Sequence, residues 1–89
     1  MIAARRPSPE VRVPTLLRIG PYRFLFHSRE HDPPHIHVES SSGKAVFTLT
    51  PIKMTDSKGY TRRETRQIHE IVLIHRRAFL DRWHEHFEQ

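Results

Sequence analysis

Apolar and polar residues alternate over short stretches from Thr15 to Thr50, then fall into a helical period from Thr61 to about Phe87. TLLRI at 15–19 is a short apolar run closed by Gly20-Pro21, and YRFLFHS follows at once. Two such runs across a Gly-Pro break predict a hairpin. A strand's period of two puts Tyr22, Phe24 and Phe26 on one face and Arg23, Leu25 and His27 on the other. HIHVE at 35–39 is the third run. It begins after Pro33-Pro34, a pair without amide hydrogens that suits the start or edge of a strand. SSSGK is a turn by composition, and AVFTLT alternates again. Every connection is short, so the strands pair antiparallel. Residues 51–60 read as a ten-residue connection.

The helical part opens on a capping box, Thr61 to Glu64, and contains no Gly or Pro. Ile68, Val72, Phe79 and Trp83 form one stripe with Ile71 and Ala78 beside it, the spacing of a face packed on a sheet. The pattern fits one long helix or two joined by a kink. The predicted fold is therefore α+β, a three- to four-stranded antiparallel sheet packed against one long C-terminal helix. Residues 1–13 form a flexible tail ahead of a single domain over 14–89, since Pro7 and Pro9 sit there among scattered charges without any period.

Ile71-Val72-Leu73-Ile74 does not fit a helix covered on one side, because four consecutive apolar residues encircle it. Leu73 and Ile74 then either stand exposed or meet a second surface, which a homodimer or a partner protein would supply.

Composition narrows the function. The 89 residues hold no cysteine, which rules out a disulfide framework or a thiolate metal cage and suits a reducing cytosol. MIAARRPSPEVRVP lacks the apolar centre of a signal peptide, and no run is long enough to span a bilayer. A soluble cytoplasmic protein is expected. Lys and Arg number 15 against 10 Asp and Glu, a formal charge of +5. That balance favours RNA, DNA or an acidic protein as partner. No phosphate-binding glycine loop or nucleophile elbow is present, so nucleotide hydrolysis and acyl transfer lack support.

HDPPHIHV at 31–38 carries the most chemistry. Three of eight histidines fall within seven positions. With Ile36 and Val38 turned to the core, His35 and His37 project together from the outer face, about 6.7 Å apart along the backbone. That spacing suits two imidazoles on one zinc ion, or an acid and a base across a phosphodiester, since neutral and protonated imidazole coexist near pH 7. His31 can fold back beside them, giving His31, His35 and His37 as the metal-ligand alternative. A passive surface strand is the third option. In WHEHF, His84 and His86 diverge by about 200° around a helix and cannot share an ion. His86 stays near the apolar stripe with His75, and His84 is the better candidate to meet the sheet histidines. Arg62, Arg66 and Arg77 lie off the stripe. Arg62 and Arg66, with Arg23 and Arg29 near the sheet, are candidate phosphate contacts, although such arginines more often line a solvated face.

LLRIGPYRFLFHSREHDPPHIHVE, then AVFTLTP, then a helix ending WHEHF, resembles the bacterial family of the domain of unknown function 4160. The likeness covers about residues 15–88, and PPHIHV and WHE are its specific pieces. His86 stands where the family pattern has tyrosine, which leaves His31, His35, His37 and His84 as the family-like histidines. The resemblance brings no established activity. It implies a small two-gene module of the toxin–antitoxin kind, in which an acidic cognate protein would hold a basic toxin. The leading expectation is a toxin-like, metal-independent ribonuclease using His31, His35, His37 or His84 as acid and base. The alternatives are a non-enzymatic protein- or DNA-binding module, such as an antitoxin, regulator or adaptor, and a histidine-cluster metal protein with zinc. Leu73 and Ile74 are the expected partner or dimer surface.

Overall fold

The computed structural model describes residues 15–27 and 30–87. The expected tail and Pro14 lie outside them, as does Arg29. The strands β1 (Thr15–Ile19), β2 (Tyr22–Leu25), β3 (His35–Glu39), β4 (Lys44–Leu49) and β5 (Ile52–Lys58) form one meander in the order β1-β2-β3-β4-β5, every pair antiparallel. The helix α1 (Arg62–Phe87) is continuous and covers one face of the sheet. One long helix is therefore the outcome.

The sheet has five strands, not three or four, because the stretch read as a connection is β5. IKMTDSK is an edge strand, mostly exposed and rich in charge. An edge strand needs no apolar face, and its charges protect an open edge from pairing with other chains. The two-residue turn Thr50-Pro51 leads into it, with Leu49 opposite Ile52. A bulge between Val46 and Phe47 leaves Thr55 unpaired and breaks whatever alternation the stretch had. Arg76 of α1 donates to the Leu49 carbonyl and to Thr50 Oγ1, tying mid-helix to this turn.

The helix starts as the capping box requires. Thr61 Oγ1 accepts from the Glu64 amide at 3.1 Å, and Glu64 Oε1 accepts from the Thr61 amide at 2.8 Å. Its buried residues are Ile68, Val72, Phe79 and Trp83, the predicted stripe. They pack on Tyr22, Phe24, Phe26, Ile36, Val38, Ala45, Phe47 and Leu49. Ala78 is exposed instead. Aromatic rings fill the C-terminal end of this core: Phe24 stacks on Phe79 at 5.7 Å, and Phe26 meets Trp83 edge-on at 5.3 Å. Close backbone approach fixes Gly43 at the β3–β4 turn, where a Cβ would lie 2.1 Å from the Lys58 carbonyl oxygen. Among the described residues, no helix is long and apolar enough to cross a membrane.

A histidine–glutamate group on the outer sheet face

The face turned away from α1 is built by register. Ile36 and Val38 are fully buried in the core, so His35 and His37 take the opposite side. They stay largely covered there, with side chains 18% and 15% exposed. The cover comes from the β2–β3 connection, which returns Glu30 over the two rings. Glu30 is itself only 10% exposed, and one carboxylate serves both histidines. Oε1 lies 2.8 Å from His35 Nε2 and Oε2 lies 2.7 Å from His37 Nε2. The backbone amide of His27 donates to Oε2 at 2.8 Å and holds the carboxylate in place.

The two histidines differ in what they can do. His35 Nδ1 is 2.8 Å from the Pro33 carbonyl oxygen and Nε2 is 2.8 Å from Glu30. Both neighbours accept, so the ring satisfies both only when each nitrogen carries a hydrogen, which is the imidazolium. Its ring also lies against Trp83, 5.0 Å between centroids, which joins it to the end of the core. His37 stacks face to face with His27, 3.5 Å between centroids and 16° from parallel. Its Nε2 is 2.7 Å from Glu30 Oε2 but off the line along which a ring N–H donates, so no linear hydrogen bond joins the two.

Burial lowers the His37 pKa below the ordinary histidine value, and the neighbouring His27 and His35 lower it further against the pull of Glu30. Burial thus favours the neutral form of His37. For Glu30, burial acts to raise the pKa. The His27 amide and the two histidines overcome it, and the carboxyl lies below its usual range.

Beside this group a row of charge crosses the whole sheet. Arg18, Arg23, Glu39, Lys44 and Lys58 are successive cross-strand partners from β1 to β5. Directly opposed residues share a face, so four cations and one carboxylate stand abreast, about 19 Å from first strand to fifth. Arg23 donates to Glu39 at 2.6 Å, and the other Glu39 oxygen is 3.8 Å from His27 Nε2. Arg18, Arg23, Glu39, Ser40 and Ser41 border a pocket of about 370 Å³. A second pocket, of about 200 Å³, is bordered by His27, His37, Glu39, Lys44 and Asp56. Glu39 separates the two.

Of the expected site residues, His35 and His37 come together, with Arg23 one step away. His31 is exposed and makes none of these contacts. His84 stands on the exposed side of α1, and Trp83 beside it in the sequence reaches His35. Arg62 and Arg66 border a separate pocket of about 260 Å³ on the helix side, with Phe47, Met54 and His69. Glu30 and His27 complete the group without having been singled out in the sequence. His27 had a signal, since strand parity puts it outward with Arg23. Glu30 had none, because only the path of the connection brings its carboxylate back over β3. Three ligand atoms, one each from His27, Glu30 and His37, lie within 4.8 Å of one another, a group that shares only His37 with the expected set of His31, His35 and His37.

Residues 22–84, well over half of the chain, match the family described as Domain of unknown function (DUF4160). The chain belongs to this family. In this DUF4160 domain the matched stretch runs from the first residue of β2 into the last turn of α1. It therefore takes in the whole histidine–glutamate group and Trp83 behind it. No curated protein and no solved structure matches the chain.

Proposed function

We propose that the chain is the toxin-like component of a bacterial two-gene module, and that its outer sheet face binds RNA and cleaves it by histidine acid–base chemistry without a metal. The single observation carrying this reading is the adjacency on one face of a gripped histidine pair and a five-strand row of four cations. Arg18, Arg23, Lys44 and Lys58 offer a polyanion contacts on both sides of Glu39. His37, neutral and partly desolvated, takes the proton of a ribose 2′-hydroxyl. The oxygen attacks the adjacent phosphorus, the bond from phosphorus to the 5′-oxygen breaks, and His35 returns a proton to that leaving oxygen. A 2′,3′-cyclic phosphate and a free 5′-hydroxyl result. Glu30 orients both rings, and Arg23, held by Glu39, balances charge on the phosphorane.

A second reading is favoured by the convergence of His27, Glu30 and His37. Two imidazoles and one carboxylate are ligands suited to a zinc-type ion, and a bound metal would then supply the hydrolytic water.

The deciding experiment incubates the protein with structured and single-stranded RNA, with and without EDTA, beside His37→Ala and Glu30→Gln. The expected result is cleavage that resists EDTA and falls at least about 100-fold in each variant. Cleavage abolished by EDTA moves the chemistry to a metal. Salt-sensitive RNA retention without cleavage leaves a binding module.

A further inference from the structure

The helix presents a second ordered face, directly opposite the stripe that packs on the sheet. Arg66, Glu70, Leu73, Ile74, Arg77 and Asp81 recur at three- and four-residue steps along it, and all six are exposed. Leu73 and Ile74 are 51% and 70% exposed, two of three large apolar residues left exposed among those described. The charges around them are arranged by sign. Glu70 and Arg77 stand equally far from the midpoint between Leu73 and Ile74, and so do Arg66 and Asp81.

We propose that this face pairs with the same face of a second copy of the chain, antiparallel, about a two-fold axis through the Leu73–Ile74 midpoint. In that register Glu70 of each copy meets Arg77 of the other, Arg66 meets Asp81, and Leu73 and Ile74 close on their own copies at the axis. This is an isologous contact, each attraction occurring twice, with the helices crossing at about 20°. Parallel pairing sets Arg66, Glu70, Arg77 and Asp81 each against its own like charge, so the same pattern selects for one orientation and against the other.

The helix pairs the face makes on its own do not compete strongly. Arg77 and Asp81 approach within 3.7 Å in one helix, but their side chains are 87% and 62% exposed, and such pairs are weak. An acidic partner protein would meet Arg66 and Arg77 but also Glu70 and Asp81. A second copy matches all four. The dimer leaves the outer sheet face open, because α1 covers the other side of the sheet.

The test uses the full chain in sedimentation or light scattering across concentration. Wild-type protein is expected to double in mass as concentration rises. Glu70→Arg should weaken association at least about tenfold, and Glu70→Arg with Arg77→Glu should return it to within about threefold of wild type. The chain has no cysteine, so single introduced thiols report the register. Ile74→Cys should oxidise to a dimer. Arg66→Cys should not, since fifteen residues separate its copies' positions along the paired helices, about 22 Å. A monomer up to about 1 mM, association insensitive to the swaps, failure of the double swap to restore it, or ready self-linking of Arg66→Cys would each overturn the proposal.

Discussion

The outer face of the sheet and the outer face of the helix break the usual patterning in opposite senses. On the sheet, titratable groups are covered: Glu30, His35 and His37 are all less than one-fifth exposed. On the helix, apolar groups are uncovered, Ile74 most of all. A covered carboxylate or imidazole costs free energy unless it is hydrogen-bonded and charge-compensated, and here Glu30 is held by His35 and the His27 amide, while His37 Nε2 faces the same carboxylate without a hydrogen bond. Water could not serve the same purpose so selectively, which is why covered polar groups with mutual partners point to chemistry at that place. Isolated exposed apolar residues are ordinary. The pair at 73–74 points to a contact because the charges flanking it are self-complementary.

The largest effect that sharpens this comparison belongs to neither outer face but to the stripe between them. Ile68 and Ile74 are the same residue type on one helix, 0% and 70% exposed. Ile68→Ala removes methyl groups from a closed core and should cost about 2–5 kcal/mol, measured as a shift of the urea midpoint with an unchanged slope. A loss below about 0.5 kcal/mol would mean that α1 does not pack on the sheet as described.

The core was legible in the sequence because burial leaves a period behind it. The 2.0-residue alternation of β2 to β4 and the 3.6-residue stripe of α1 each follow from one covered face. Leu25 shows where parity stops: it faces away from the core stripe, paired between Thr15 and His37, and is still only 9% exposed. β5 left no period, since the bulge shifts its parity: Lys53, Asp56 and Lys58 share the outer face and Ile52, Met54 and Ser57 the other, although no steady alternation runs through them in the sequence. The candidate site was half legible. His35 and His37 followed from Ile36 and Val38 by alternation, whereas Glu30 is placed by a loop path that no short-range pattern encodes. His84 lies on the exposed side of α1, one residue from Trp83, which turns to the sheet.

Acidification tests the sheet face directly. For His37 the folded pKa lies below the unfolded value of 6.5, because burial disfavours the imidazolium, with His27 and His35 adding to the effect and Glu30 opposing it. Between the two values the unfolded chain binds the proton that the folded chain refuses, so stability is full above pH 6.5 and falls below it. Glu30 acts in the same direction at lower pH. Its folded pKa is below the model-compound value of 4.5, so its contribution is present above 4.5 and is lost as pH falls through the folded value. The melting temperature should therefore hold steady from pH 8 to 7 and decline from about 6.5 downward, and His37→Gln should flatten the first part of that decline. A wild-type curve flat to pH 5, or one with the same slope in the variant, would show that His37 titrates as freely as in the unfolded chain.

The smallest expected effect belongs to the helix face. Ile74→Ala, measured at concentrations too low for association, should change stability by no more than about 0.5 kcal/mol, because a side chain 70% exposed gives up little contact with its own chain. The same substitution should weaken self-association, and that separation is the point of the measurement. A residue that supports the monomer loses stability at every concentration, whereas one that serves only a contact between copies loses it only where copies meet. In thermal scans the wild-type midpoint should rise with protein concentration, since association stabilises the folded state by mass action, and the Ile74→Ala midpoint should rise less. Equal destabilisation at low and high concentration would put Ile74 in the monomer's own packing, and the contrast between the two outer faces would reduce to the sheet alone.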